Sequence, residues 1–188
     1  MLGDVHIFHR FGPFYDWVIP GADADKLAAG LAYADRPVER LLDVGGGTGR
    51  GARALTSTDP VVVDAARGML ETANGHGLTT VQGNAGQLPV PDDAVDAVLI
   101  VDALHHFGDA DAAIREAARV LRPGGVLVIR EFDPTTLRGR ALVAAEHLVG
   151  FASTFYSADE LAAKCRDAGL TPHAPERGFG YTLACVAG

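Results

Sequence analysis

Residues 41 to 49 read Leu-Leu-Asp-Val-Gly-Gly-Gly-Thr-Gly, and no other stretch restricts the fold of this chain so strongly. The apolar run from 41 to 44 has the character of the end of a buried strand. Gly45, Gly47 and Gly49 allow the backbone to turn sharply and to approach a ligand more closely than any residue with a Cβ could. A helix expected from about Arg50 would aim its unpaired N–H groups at that ligand. The stretch is therefore read as a nucleotide-binding turn. A tight strand-to-helix turn without a ligand is the alternative, but glycine is entropically costly, and this density favours a functional reason.

The glycines alone do not choose the nucleotide. Gly47-Thr48-Gly49-Arg50-Gly51-Ala52 fits the dinucleotide pattern G-x-G-x-x-G/A, whose diagnostic acid follows about 20 residues later. Here Asp43 precedes the glycines and Asp64 stands at the later place. Asp64 closes a second apolar run, Val61-Val62-Val63, and a carboxylate at such a strand tip is placed to accept both hydroxyls of a ribose. The same residue type also caps helices. Strand tip and spacing together favour the ribose.

Apolar runs near 40 to 44, 60 to 64, 78 to 82, 95 to 101 and 124 to 132 alternate with helical patterns, which predicts a parallel sheet covered by helices on both faces. Ser157 reads as the N-cap of a late helix containing Asp159 to Cys165, and 170 to 173 with 181 to 186 read as a closing pair of strands. At 188 residues the chain suits one domain, long enough to bury about 70% of its unfolded surface. A net charge of −8 argues against a nucleic-acid backbone as partner, because that interaction rests on clustered Lys and Arg. No apolar stretch reaches the length needed to span a bilayer, and the start of the chain lacks the shape of a signal peptide, so a cytoplasmic location without stable membrane insertion is expected. Cys165 and Cys185 are far apart and form no C-x-x-C, as expected of reduced core thiols.

Three later segments complete a pattern in a fixed order: Gly83-Asn84-Ala85 followed by Leu88-Pro89-Val90-Pro91-Asp92-Asp93-Ala94-Val95-Asp96-Ala97-Val98; Ala103-Leu104-His105-His106-Phe107; and Val120-Leu121-Arg122-Pro123-Gly124-Gly125-Val126-Leu127. With the glycine turn and Asp64 they resemble a class I S-adenosylmethionine-dependent methyltransferase over nearly the whole chain. Phe14-Tyr15-Asp16 and the paired histidines are similar to the quinone-biosynthesis-like branch that methylates small molecules. The resemblance implies an α/β fold, doubly wound and Rossmann-like, with a mostly parallel seven-stranded sheet whose last strand is antiparallel. It implies S-adenosyl-L-methionine as cofactor and S-adenosyl-L-homocysteine as product.

Residue by residue, the resemblance implies that Asp43 helps to place the methionine end of the cofactor through its amine, beside Tyr15. Gly45, Gly46, Gly47 and Gly49 would form the turn around it, and Asp64 with Ala65 would hold the ribose. Met69 and Val101 would line the adenine and ribose, and Ala85 would offer its N–H to adenine. The family usually has Asp where this chain has Asn84. Asn is neutral, although its amide can still offer an oxygen to the exocyclic amine.

Residues 1 to 33 and 134 to 156 fall outside the core pattern and are expected to form a helical lid and a second lid segment. They carry aromatic residues, Phe8, Phe11, Phe14 and Tyr15 in the first, Phe151, Phe155 and Tyr156 in the second. An aromatic cluster over the strand tips would give a dry pocket for an apolar, quinol- or phenol-like acceptor. The same rings would serve equally to pack the lids onto the core. A sulfonium methyl is already activated, so catalysis needs the acceptor aligned and water excluded, and an acidic acceptor also needs a base. His105 and His106 are candidates for that base, packing and turn hydrogen bonds being their other use. Arg10 and Arg130 would either hold an acidic acceptor or be solvated.

Other chemistries lack their residues. No Gly-Lys dipeptide supplies a phosphate-binding lysine, and none of the three serines sits in G-x-S-x-G. His6 and His9 make two ligands at most, so no metal site is expected. Two rival functions stay open, a nicotinamide-dependent dehydrogenase using the 47 to 52 register and a non-catalytic S-adenosylmethionine-binding domain.

Overall fold

The computed structural model describes residues 22 to 55, 59 to 148 and 150 to 188. Their strands are β1 (Leu41–Val44), β2 (Val61–Asp64), β3 (Thr79–Gln82), β4 (Val95–Val101), β5 (Leu121–Phe132), β6 (Leu170–Glu176) and β7 (Gly180–Ala187). Their helices are α1 (Ala24–Leu31), α2 (Arg50–Ala54), α3 (Arg67–Gly75), α4 (Ala110–Val120), α5 (Leu137–Leu148) and α6 (Ala158–Asp167), with a single 3₁₀ turn at Leu104–His106.

The seven strands form one sheet in the order β3-β2-β1-β4-β5-β7-β6. Neighbours from β3 to β5 pair in parallel, and β7 runs antiparallel to both β5 and β6. The expected architecture is therefore present, last strand included. Every residue of β4 is buried, as a strand covered on both faces requires. Strand alternation sends Leu42, Val44, Val98, Ile100, Leu127 and Ile129 to one face, where Ile114 of α4 and Leu161 of α6 pack on them. Leu41, Leu99, Val126 and Val128 go to the other face and meet Leu27 of α1. Gly30 of α1 lies so close to the sheet that a Cβ there would stand 2.7 Å from Val128 Cγ1.

The helix ends follow local chemistry. Asp23 and Asp109 cap α1 and α4 by accepting from Lys26 N and Ala112 N, and Ser157 with Glu160 forms a complete capping box on α6. Buried Asp96 gathers the chain before β1, accepting from the Glu39 and Arg40 amides and pairing with Arg36 and Arg122. Cys165 and Cys185 are free and buried. No described helix is long and apolar enough to cross a membrane.

Helix α1, inside the stretch expected as the first lid, covers a sheet face with Leu27 fully buried, because its apolar residues match that face. Arg130 does not face an acceptor: its guanidinium donates to Glu176 Oε2 at 3.0 Å and to Thr182 Oγ1 at 3.2 Å, on the side of β6 and β7. Phe8, Arg10, Phe11, Phe14 and Tyr15 lie outside the described residues.

Candidate active site

Parallel strands β1, β2 and β4 end at the same edge, and their C-terminal turns enclose a cavity of about 310 Å³. The first wall is the glycine turn. Gly45 and Gly47 have φ of +67° and +57°, the left-handed region that glycine enters without a Cβ clash. The Gly45 N–H donates to Val63 O at 2.7 Å, and the Gly47 N–H donates to Asp64 Oδ2 at 2.9 Å. Asp64 Oδ1 accepts from Ala66 N at 2.7 Å, so the carboxylate at the tip of β2 ties the glycine turn to its own. A Cβ on Gly46 would stand 2.6 Å from the Asp43 carboxyl carbon.

Asp43 is wholly buried beneath this turn. Its Oδ2 accepts from Ala52 N at 2.9 Å, while among the described residues Oδ1 has no hydrogen-bond partner. Burial pushes the Asp43 pKa up to about 6 against the stabilising Ala52 hydrogen bond; the charge of Asp64 adds to the rise and Arg50 opposes it.

Asp43, Gly45, Gly46, Gly47, Asp64, Ala65, Met69, Asn84, Ala85 and Val101 all line the one cavity, though sequence places them on four separate segments. Gly49 is not in its lining. It caps α2 in the left-handed conformation and packs on Leu78, whose Cδ1 would lie 2.1 Å from an added Cβ. The Asn84 side-chain oxygen accepts from Gly86 N at 2.9 Å, stabilising its own turn.

Opposite the glycines stand Asp102, His106 and Phe107. Asp102 adopts φ of +50°, uncommon for a residue with a Cβ, and its carboxylate meets Arg50 Nη2 at 3.2 Å. Burial raises the Asp102 carboxyl above its usual range, and neighbouring Glu131 adds to the effect. A Cβ on Gly45 would meet the Phe107 ring at 2.7 Å, so this glycine is also what lets the two walls approach.

His105 and His106 occupy the 3₁₀ turn after β4 but differ in setting. His105 is buried behind the cavity wall, with Nδ1 2.7 Å from Glu131 Oε2 and Nε2 3.7 Å from Glu146 Oε1. Burial opposes its charge, but Glu131, then Glu146 and Asp102, outweigh that and hold the imidazole pKa above its ordinary value. Burial likewise opposes the Glu131 charge, and His105 overcomes it, keeping the carboxyl below its usual range. His106 lines the cavity. Ser153 Oγ lies 3.2 Å from its Nδ1 and donates to Glu146 Oε2 in a short hydrogen bond. Since the single hydroxyl hydrogen goes to Glu146, His106 Nδ1 supplies the hydrogen of the other bond, leaving Nε2 as the basic nitrogen.

The segment from 151 to 155 lies on these histidines. Thr154 N donates to His105 O at 2.8 Å, Phe155 stacks on the His105 ring at 4.3 Å between centroids, and Phe151 tilts against His106 at 5.2 Å. Neither phenylalanine lines the cavity itself. Sequence reasoning did not single out Arg50, Asp102, Glu131, Glu146 and Ser153. Arg50 had a signal, as first residue of the helix behind the glycine turn, and so did Glu131, an acid inside an otherwise apolar strand. Glu146 and Ser153 had none, because only tertiary packing brings them to the histidines.

Comparison with known proteins adds three findings. Residues 42–129 match the family model described as "Methyltransferase domain". The chain is 35% identical over 173 residues to 27-O-demethylrifamycin SV methyltransferase of Amycolatopsis mediterranei, covering 84% of this chain and 62% of that protein; to demethylmenaquinone methyltransferase of Corynebacterium kroppenstedtii it is 34% identical over 116 residues, covering 61% and 51%. It thus spans about half to three-fifths of the length of these relatives. Among solved structures, a Thermotoga maritima S-adenosylmethionine-dependent methyltransferase, described as a possible histamine N-methyltransferase, superposes with a TM-score of 0.79 at 25% identity, covering 97% of this chain and 99% of that one.

Proposed function

The chain belongs to the class I S-adenosylmethionine-dependent methyltransferases, and from that premise we propose that it transfers a methyl group to a small, apolar or aromatic acceptor of quinol or phenol type. The observation that carries the reading is the cavity in which Asp43, the glycine turn and Asp64 face His106 and Phe107.

The residues present fit the cofactor. Among the described residues, Asp43 keeps a buried oxygen without a hydrogen-bond partner, the group that the ammonium of an amino-acid end would satisfy. On the same cavity the Arg50 guanidinium offers the positive charge that a carboxylate requires, so the pair matches a zwitterion. Asp64, already fixed by two backbone amides, would accept the ribose hydroxyls with its remaining lone pairs. When bound, the cofactor supplies a methyl group activated by its sulfonium for in-line displacement.

The chain's own work is then positioning and proton handling. Phe107, which lines the cavity, and the segment packed over the histidines would help to exclude water from the edge where the acceptor would sit. His106 Nε2 would take the acceptor's proton, Ser153 and Glu146 holding its ring orientation through Nδ1. His105, tied to Glu131 behind the wall, would support that turn rather than touch substrate. The relatives named for 27-O-demethylrifamycin SV and demethylmenaquinone support a small-molecule acceptor. Against the dehydrogenase reading stands Gly49, second glycine of the 47 to 52 register, which is packed on Leu78 outside the cavity. The test is mass-spectrometric detection of methylated product from a panel of hydroquinones and phenols with S-adenosylmethionine. Product from any of them supports the reading; cofactor binding without turnover on the whole panel would favour a non-catalytic binding domain.

A further inference from the structure

The His106 side of the cavity holds more ligating atoms than proton transfer requires. His105, His106 and Glu146 each present one ligand atom, and the three lie within 4.8 Å of one another. Atoms bound to one zinc-like ion at about 2.0 to 2.1 Å sit roughly 3 to 4 Å apart. The 3.7 Å between His105 Nε2 and Glu146 Oε1 meets that spacing, and closing the rest needs side-chain movements of roughly an ångström.

The surroundings prepare these atoms for a cation. Glu131 accepts from His105 Nδ1, which fixes the tautomer and turns Nε2 toward Glu146, the carboxylate-to-histidine arrangement that orients imidazole ligands. Ser153 fixes His106 in the same sense and donates to the Glu146 oxygen opposite the one facing His105. Among the described residues, Glu131 faces both imidazoles and the Asp102 carboxyl, and Glu146 faces His105, so a divalent ion would offset acidic charge that the imidazoles share among three carboxyl groups. His106 also borders the cofactor cavity, so part of the coordination sphere would open on it.

We propose that His105, His106 and Glu146 bind a divalent transition-metal ion of the zinc or iron(II) class. Two imidazoles with one carboxylate suit such borderline ions, whereas magnesium and calcium require a shell of oxygens. The site stands on this cluster alone and does not depend on the methyl-transfer reading. An ion there would take a ring nitrogen of His106, so loading the metal would withdraw that imidazole from proton transfer.

The experiment titrates chelator-treated full-length protein with Zn²⁺ by calorimetry and with Co²⁺ by visible absorption, at about pH 8, where protons compete least. The wild type is expected to bind one ion with a d–d spectrum of low coordination number. His106→Ala and Glu146→Gln should each weaken this binding at least about 100-fold, and Glu131→Gln by about 10 to 100-fold through its hold on His105. His76→Ala, on the exposed end of α3, should change nothing. Absence of saturable binding in the wild type, or binding that survives both His106→Ala and Glu146→Gln in variants that keep the wild-type melting midpoint, would overturn the proposal. Titrating the same samples with S-adenosylhomocysteine separates this outcome from failure of the methyltransferase reading.

Discussion

Glu131 Oε2 lies 2.7 Å from His105 Nδ1, with both side chains only 4% exposed, and this buried pair joins β5, the neighbour of the central strand β4, to the turn that carries His106. Removing one partner leaves the other buried and unpaired. Glu131→Ala is therefore expected to cost about 3 to 5 kcal/mol in urea denaturation of chelator-treated protein. Glu131→Gln, which keeps an acceptor for Nδ1, should cost clearly less; equal losses in the two variants would mean that shape rather than the carboxylate matters.

Asp43 is expected to make cofactor binding depend on pH. Its carboxyl is raised by burial to about 6, so in the ligand-free protein it becomes neutral as the pH falls through that value. An ammonium ligand prefers the ionised form, and affinity for S-adenosylhomocysteine should therefore decline below about pH 6 and level off above about pH 7. The stability sign is opposite. A raised carboxyl pKa means that the folded state holds the proton more tightly than the unfolded one, so charged Asp43 lowers ligand-free stability as the pH rises from the ordinary carboxylate value through about 6. Asp43→Asn should abolish the acid-limb loss of affinity, and a limb that persists in that variant would assign it to another group.

Asp64 has one observed task and one proposed task. Its oxygens hold Gly47 N and Ala66 N, so Asp64→Ala should lower the melting midpoint, the lost hydrogen bonds amounting to about 1 to 3 kcal/mol. The same variant should bind S-adenosylhomocysteine about 10 to 100-fold more weakly, as loss of charge-assisted bonds to ribose implies. Calorimetry giving wild-type affinity would remove Asp64 from the ribose.

For His106 the expected signature is kinetic. His106→Ala should reduce kcat about 100 to 10,000-fold on an acceptor that must lose a proton, while S-adenosylhomocysteine affinity stays near wild type. A variant with undiminished kcat would end the base assignment.

Much of the architecture could be read from the chain because its signals are local. Apolar runs ending in Asp43 and Asp64, and Gly45 to Gly47 between strand and helix, marked the strand tips within a residue or two. The differences come from pairing. β5 starts at Leu121, three residues before the apolar run, because Leu121 already pairs with Val95 ahead of a register shift. β6 reaches Glu176, past Pro175, because Glu176 finds Thr182 across a second irregularity. At the site, the residues lining the cavity followed the strand tips and their gathering was legible, except that Gly49 has a packing task which the spacing of glycines does not distinguish. Glu146 and Ser153 were not, since their relation to the histidines exists only once α5 and the segment after it fold back over the 3₁₀ turn.

The central claim is that the cavity under the glycine turn is built for an adenosyl amino acid, and titration calorimetry with S-adenosylhomocysteine and with NAD, on wild type and Asp43→Asn, tests it most directly. The account predicts saturable one-to-one binding of S-adenosylhomocysteine, no heat from NAD, and an affinity about 10 to 100-fold weaker in Asp43→Asn at a ligand-free melting midpoint no lower than that of the wild type. Binding of NAD in place of S-adenosylhomocysteine, or equal affinity of the two proteins for S-adenosylhomocysteine, would contradict it.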